Sequence, residues 1–169
     1  TLFLCGNASS KYADKIKALI TQHKLGKRVV VTGEVSEAEK NWMFERCKAF
    51  VFPSLSEGFG LPVVEAMHFG KPVVLSKLTS LPEIGRKEAV YLNNFLPDEI
   101  ASKIEFAIQN NTPEHQKALK NRAAFFSWKK AAEQYLELYP QSFPVSFLQG
   151  TLYPLAHHAG ILHTKCLYL

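Results

Sequence analysis

The sequence predicts an α/β chain: an open, parallel β-sheet with helices on both faces. Three observations lead there. Short apolar runs (Leu2-Phe3-Leu4-Cys5, Val29-Val30-Val31, Ala49-Phe50-Val51-Phe52, Val73-Val74-Leu75) alternate with longer stretches patterned at helical spacing. The runs are continuously apolar, as strands buried on both faces are. The best-defined unit is strand, loop, helix, strand, and such a crossover joins parallel strands.

Composition bounds the rest. At 169 residues, 47% hydrophobic and 21% charged, the chain is an ordinary globular length with a sizeable core. The net charge of +5 is spread over scattered lysines and arginines, which argues against nucleic-acid binding. The same charge suits peripheral docking on an anionic membrane surface. Cys5, Cys47 and Cys166 are odd in number, far apart and without metal-ligand spacing. A reduced, cytoplasmic protein is expected. No signal peptide and no apolar run of bilayer-spanning length is evident.

In order, Leu2 to Gly6 reads as a core strand ending in a glycine turn, so the chain begins inside a fold. Lys11 to His23 carries Ile16, Ala18, Leu19 and Ile20 at helical spacing. Arg28 to Thr32 reads as a buried strand, with Gly33 at its carboxyl end and Val35 just beyond. Ser36-Glu37-Ala38-Glu39 is a capping box that starts a helix to about Cys47, with Trp42, Met43 and Phe44 facing the core. The strand through Phe52 follows. Pro62 suits the first position of the next helix, and Gly70 its left-handed stop. Pro72 to Leu75 is a second buried strand, with its proline at the first position. Ser76 to Arg86 is a loop at a strand's carboxyl end, where open α/β sheets bind ligands. Ala89 to Leu92 is a short strand, and Pro97 begins a helix with Ile100, Ile104, Ala107 and Ile108 on one face. Two more helices follow, one to about Phe126 and one from Ser127 to Tyr139 with Trp128, Ala132, Tyr135 and Leu136 at helical spacing. The whole pattern is Rossmann-like.

The loop from Ser54 to Leu61 stands out chemically. Gly58 and Gly60 let the backbone turn tightly and a ligand approach it closely. No capping side chain stands at Gly60 or Leu61, so amides from Phe59 to Val64 include donors without an obvious partner. Such a helix start attracts phosphate; Gly60 with water as the cap is the plainer reading. Glu57 and Glu65 have seven residues between them. A carboxylate here does not hold phosphate but can accept from hydroxyls of a neighbouring sugar. Singly, Glu65 also reads as a first-turn residue favoured by the helix dipole, and Glu57 as a solvated loop carboxylate.

Taken together, Phe52-Pro53-Ser54, Glu57-Gly58-Phe59-Gly60-Leu61-Pro62, Glu65-Ala66-Met67 and Gly70-Lys71-Pro72-Val73-Val74 resemble the signature of retaining glycosyltransferases of the GT-B fold. Family 4, whose two glutamates flank seven residues, is the nearest pattern. The resemblance covers residues 1–139 and belongs to the C-terminal lobe of a GT-B fold, the lobe that binds the nucleotide-sugar donor. It implies transfer of a hexose, of mannose or glucose type, from a nucleoside-diphosphate sugar to an acceptor hydroxyl with retention. Surface-polysaccharide or lipopolysaccharide assembly in a bacterium is the context it suggests.

Residue by residue, the amides of Gly58, Phe59, Gly60 and Leu61 would take the diphosphate and stabilise the leaving group. Glu57, the catalytic candidate, would hold donor-sugar hydroxyls, Glu65 the ribose hydroxyls, and Gly33 and Val35 would lie near the base. Glu83, in a loop resembling the family's Pro-Glu pattern, faces the donor pocket or simply starts a helix. Asp14 and Asp98 are the only aspartates, so no Asp-x-Asp pair is present for a divalent metal. No metal and no cofactor are expected. Glu57 and Glu65 are not a glycosidase pair, whose carboxylates face each other across the bond being cut. The family's diphosphate-clamping arginine and lysine belong to a strand and helix before residue 1. The acceptor glycan or glycolipid would bind a missing N-terminal lobe, so this chain alone is expected to be inactive.

Two other classes compete. One is a non-catalytic nucleotide-sugar-binding module. The other is a sugar-nucleotide epimerase of the same two-lobe architecture, whose base catalyst is not identifiable here. The Glu57–Glu65 spacing favours the transferase. Residues 140–169 differ sharply: no acidic residue, one basic residue and three histidines. They read as an atypical tail, from a shifted reading frame or an altered terminus. His157, His158, His163 and Cys166 match no metal-site spacing.

Overall fold

The computed structural model describes residues 1–138 and 166–168. Five strands come from the first two thirds of the chain: β1 (Leu2–Cys5), β2 (Val29–Gly33), β3 (Phe50–Phe52), β4 (Val73–Leu75) and β5 (Val90–Tyr91). A sixth, β6 (Cys166–Tyr168), comes from its end. The helices are α1 (Lys11–Gln22), α2 (Glu37–Arg46), α3 (Leu61–His68), α4 (Leu81–Gly85), α5 (Pro97–Gln109), α6 (Pro113–Ala124) and α7 (Trp128–Leu138). Two compact units result: residues 1–125 with β6, and a second from Phe126 that includes α7. Among the described residues no helix is long and apolar enough to cross a membrane.

The sheet order is β2-β1-β6-β3-β4-β5. β1 pairs with β2 in parallel, and β4 pairs in parallel with both β3 and β5. The expected parallel α/β architecture holds on both sides, and its centre is a correction. β6 runs antiparallel between β1 and β3, with Leu167 opposite both Leu4 and Val51. The inner edges of β1 and β3 both need hydrogen-bond partners, and an antiparallel strand supplies them as well as a parallel one. Residues 166–168 of the predicted tail therefore belong to the sheet; its four candidate metal ligands lie outside the described residues except for the backbone of Cys166.

Period-two alternation sorts the core into two layers. Val51 and Val74 meet Leu92 and Ala107 on one face, with Ile100 and Ile104 of α5 packed against them, as the helical spacing of those residues predicts. On the other side Phe50 and Phe52 stack with centroids 5.7 Å apart, Phe44 of α2 meets Phe50 edge-on at 5.5 Å, and Phe69 stacks on Phe44. Val63, Ala66 and Met67 of α3 are fully buried. Full burial of a single side chain of this kind stabilises by roughly 1.5–3 kcal/mol.

Other differences have simple causes. Of the α2 trio only Phe44 is buried. Trp42, about 200° around the helix from it, is 52% exposed and lies under the Arg46 guanidinium. β2 is an edge strand, so Val30 is 37% exposed rather than buried. The Ser76–Arg86 loop contains the short helix α4, followed by a 3-10 turn over Arg86–Glu88. The Ser36 capping box is present, with Glu39 reaching back to the Ser36 amide at 2.8 Å.

Gly85 closes α4 against the sheet. A Cβ there would lie 2.6 Å from Ala89 Cβ, 2.8 Å from the Tyr91 hydroxyl and 2.9 Å from Leu75 Cδ1. Gly85→Ala is therefore expected to lose about 1–3 kcal/mol in urea unfolding. Alkali should also destabilise the chain. Burial pushes the Cys47 thiol up to about 11, with Lys71 opposing, and the Tyr91 phenol up to about 12, with Glu88 adding to burial. Raised folded values mean that the unfolded chain loses these protons first. The stability they contribute is complete below about pH 9 and is lost as pH rises towards about 12. Unfolding curves across that window should show the decline, with a shallower slope for Cys47→Ala.

Candidate functional site

The site is built where β3 hands over to α3. β3 is apolar because both its faces are buried, and it ends at Phe52. Pro53 and Ser54 lead the chain out at the carboxyl edge of the sheet. Gly60 takes φ +99°, a left-handed conformation glycine adopts without strain, and α3 starts at the next residue with no side-chain cap. Val63 N–H donates to Gly60 O at 2.9 Å. An alanine at Gly60 would be strained, and its Cβ would sit 3.0 Å from Leu81 Cδ2. Gly58 is exposed, as are Phe59 and Leu61. The positive end of an uncapped helix thus opens beside a glycine-bearing loop at the strand ends, which suits an anion.

This loop is held from the next crossover by hydroxyl groups. The buried Ser76 hydroxyl donates to Ser54 O at 2.5 Å, tying together the chain segments that leave β3 and β4. Thr79 Oγ1 accepts from the Glu57 amide at 3.1 Å, and Ser80 Oγ donates to Phe59 O at 2.9 Å. Thr79 does this at φ +51°, a left-handed conformation that a β-branched residue adopts at a cost. Within the loop, Ser54 Oγ donates to Glu57 Oε1 at 2.8 Å, which orients a half-buried carboxylate.

Glu65 occupies the fifth position of α3, so it lies in the second turn rather than the first. This weakens the helix-dipole account of it, because that effect fades beyond the first turn. Its Oε1 is 2.9 Å from Lys40 Nζ of α2, which also meets Glu37 at 2.9 Å. Burial works to lower the pKa of Lys40, but Glu65 and Glu37 outweigh it and hold the ammonium above its usual range. Glu57 and Glu65 therefore have separate anchors, a loop hydroxyl and a lysine of a neighbouring helix.

The remaining candidates are distributed. Gly33, at φ +77°, ends β2, and its carbonyl accepts from Gly6 N–H at 2.9 Å. Gly33 and the half-buried Val35 stand on the carboxyl edge too, but β1 and β6 separate β2 from β3. Glu83 is exposed in the first turn of α4, as a helix-start carboxylate, and the carbonyls of Glu83 and Ile84 accept from Arg122 at 2.6 and 2.9 Å. Among the described residues no three His, Cys, Asp or Glu side chains gather as a metal site. The sequence reading missed Lys40, Thr79 and Ser80 as supports. A Thr-Ser pair in the loop after a buried strand was the one visible signal for the last two.

Comparison with known proteins fits this geometry. The chain is 32% identical over 109 residues to the O-antigen chain mannosyltransferase B of Escherichia coli, covering 63% of this chain and 29% of that protein. It is 35% identical over 114 residues to the serotype-specific mannosyltransferase WbdA of the same species, covering 65% of this chain and 14% of that one. The chain therefore spans less than a third of the length of either relative. In fold it resembles Anabaena Alr3699/HepE, solved in complex with UDP and glucose, with a TM-score of 0.71 at 23% identity over 80% of this chain and 39% of that one. The family model for glycosyl transferases group 1 matches residues 1–125, which include the glycine loop, α3 and both of its anchoring neighbours. By that match the chain belongs to the glycosyl transferases group 1 family.

Proposed function

We propose that this chain is the donor-binding lobe of a retaining, family 4 glycosyltransferase that moves a mannose-type hexose from a nucleoside-diphosphate sugar to an acceptor hydroxyl. The observation that carries the reading is the uncapped N-terminus of α3, opening beside a glycine loop, with one anchored carboxylate before it and another within it. The first two relatives are O-antigen or serotype-specific mannosyltransferases, which supports mannose and surface-polysaccharide assembly.

In this reading the loop amides and the helix dipole receive the diphosphate. They also stabilise the charge that develops on the leaving nucleotide. Glu57, turned by Ser54, accepts from donor-sugar hydroxyls and acts on turnover. Glu65 accepts from the ribose diol, and the β2 loop at Gly33 and Val35 lies towards the base. The acceptor glycan or glycolipid is bound by a separate N-terminal lobe. Reaction proceeds without a divalent metal, in the cytoplasm, with the basic chain able to approach the inner membrane face. The lobe comprises residues 1–139 with β6 completing its sheet, and the sequence of residues 140–169 lies outside the family's pattern.

The direct test is a thermal-shift titration with GDP, UDP, ADP and their sugar conjugates. One base is expected to stabilise the chain, and Glu65→Ala to weaken that nucleotide about tenfold, the effect of losing a hydrogen bond to a charged group. In the complete two-lobed enzyme, Glu57→Ala should reduce turnover more than nucleotide affinity. Equal and negligible effects of the two substitutions would sink the assignment. Sugar transfer by that enzyme should persist in EDTA, and its loss there would overturn the metal-free mechanism.

A further inference from the structure

Lys40 is oddly placed for a surface lysine. It ends the first turn of α2, where the helix dipole disfavours a cation. It is half-buried, with its side chain 19% exposed, and even partial burial of an ammonium is unfavourable unless it is paired. The Ser36–Glu39 capping box fixes the turn from which it projects. What accounts for the position is the pair of carboxylates it meets: Glu37 on its own helix, and Glu65 across on α3.

The contact with Glu65 is selective. Lys40 engages Oε1 at 2.9 Å, and Oε2 has no hydrogen-bond partner among the described residues. A glutamate on a helix surface rotates about three bonds; with one oxygen held, its other oxygen is presented in one direction. We propose that Lys40 is a positioning residue that fixes the Glu65 carboxylate so that its free oxygen accepts from the 2′,3′-diol of a bound nucleoside diphosphate. This rests on the reading of Glu65 as the ribose-binding residue. Lys40 acts through Glu65, and Glu37, at 2.9 Å, holds the ammonium in place beside it.

The test separates ribose recognition from stability. The chain is titrated calorimetrically with GDP, UDP and ADP and with their 2′,3′-dideoxy counterparts, and its melting temperature is recorded without ligand. The unsubstituted chain should prefer the diol form of its nucleotide by about tenfold or more, as expected for a hydrogen bond to a charged group. Lys40→Met should remove most of that preference while leaving dideoxy affinity within about twofold, since the phosphate contacts remain. Lys40→Arg should restore most of it. In the Glu65→Ala background, Lys40→Met should change nothing further.

A Lys40→Met chain that keeps its diol preference, when Glu65→Ala has lost it, overturns the inference and leaves Lys40 as a strut between α2 and α3. Equal loss of diol and dideoxy binding overturns it as well. Should Lys40→Met fail to melt cooperatively, Lys40→Ala, which also removes the donor and leaves no long side chain to bury, is held to the same criteria. If Glu65→Ala keeps the preference, or the unsubstituted chain binds none of the three nucleotides, the donor reading fails and the inference falls with it.

Discussion

The loop that enters α3 has little of its own to hold its shape beyond the Ser54 hydroxyl that donates to Glu57. It contains two glycines, and the helix it starts lacks a capping side chain. A loop of that kind has high conformational entropy, and ordering it costs roughly 1–2 kcal/mol per residue. The hydroxyls of Ser76, Thr79 and Ser80, all from the segment after β4, supply the missing constraint. That segment is in turn fixed by Leu81 and Ile84, both buried, and by Arg122, which reaches across from α6 to the carbonyls of Glu83 and Ile84. The shape of the candidate site thus depends on two consecutive crossovers and on a helix some forty positions further along.

The same arrangement explains why the core is uneven. Phe50, Phe52, Val73, Val74 and Leu75 are all buried, because β3 and β4 are interior strands covered on both faces. β1 and β2, on the other side of β6, are only half covered. Burial is concentrated in the half of the sheet that presents Glu57 and Glu65.

Much of this was legible in the chain itself. Continuous apolar runs marked the strands, the capping box marked α2, and the Pro62 and Gly70 pair bounded α3, because each feature acts over a few residues. The glutamate spacing and glycine loop singled out the crossover from β3 through α3. What could not be read were consequences of tertiary neighbours. Trp42 and Phe44 look alike in a hydrophobic pattern, and only the sheet's position decides which is buried. Lys40 looks like one surface lysine among many until α3 is laid beside α2. The entry of β6 into the sheet centre was invisible for a similar reason. Three residues carry no period long enough to read, and their partners are more than a hundred positions away.

Thr79 shows how such a site resists improvement. Its left-handed backbone costs on the order of 1 kcal/mol or more, and a glycine there would relax it. Selection for heat resistance alone would favour that exchange, yet it would remove the hydroxyl that holds the Glu57 amide. A thermostable descendant that keeps its chemistry must therefore gain its stability elsewhere, in the half-covered β1–β2 side of the sheet rather than at the loop.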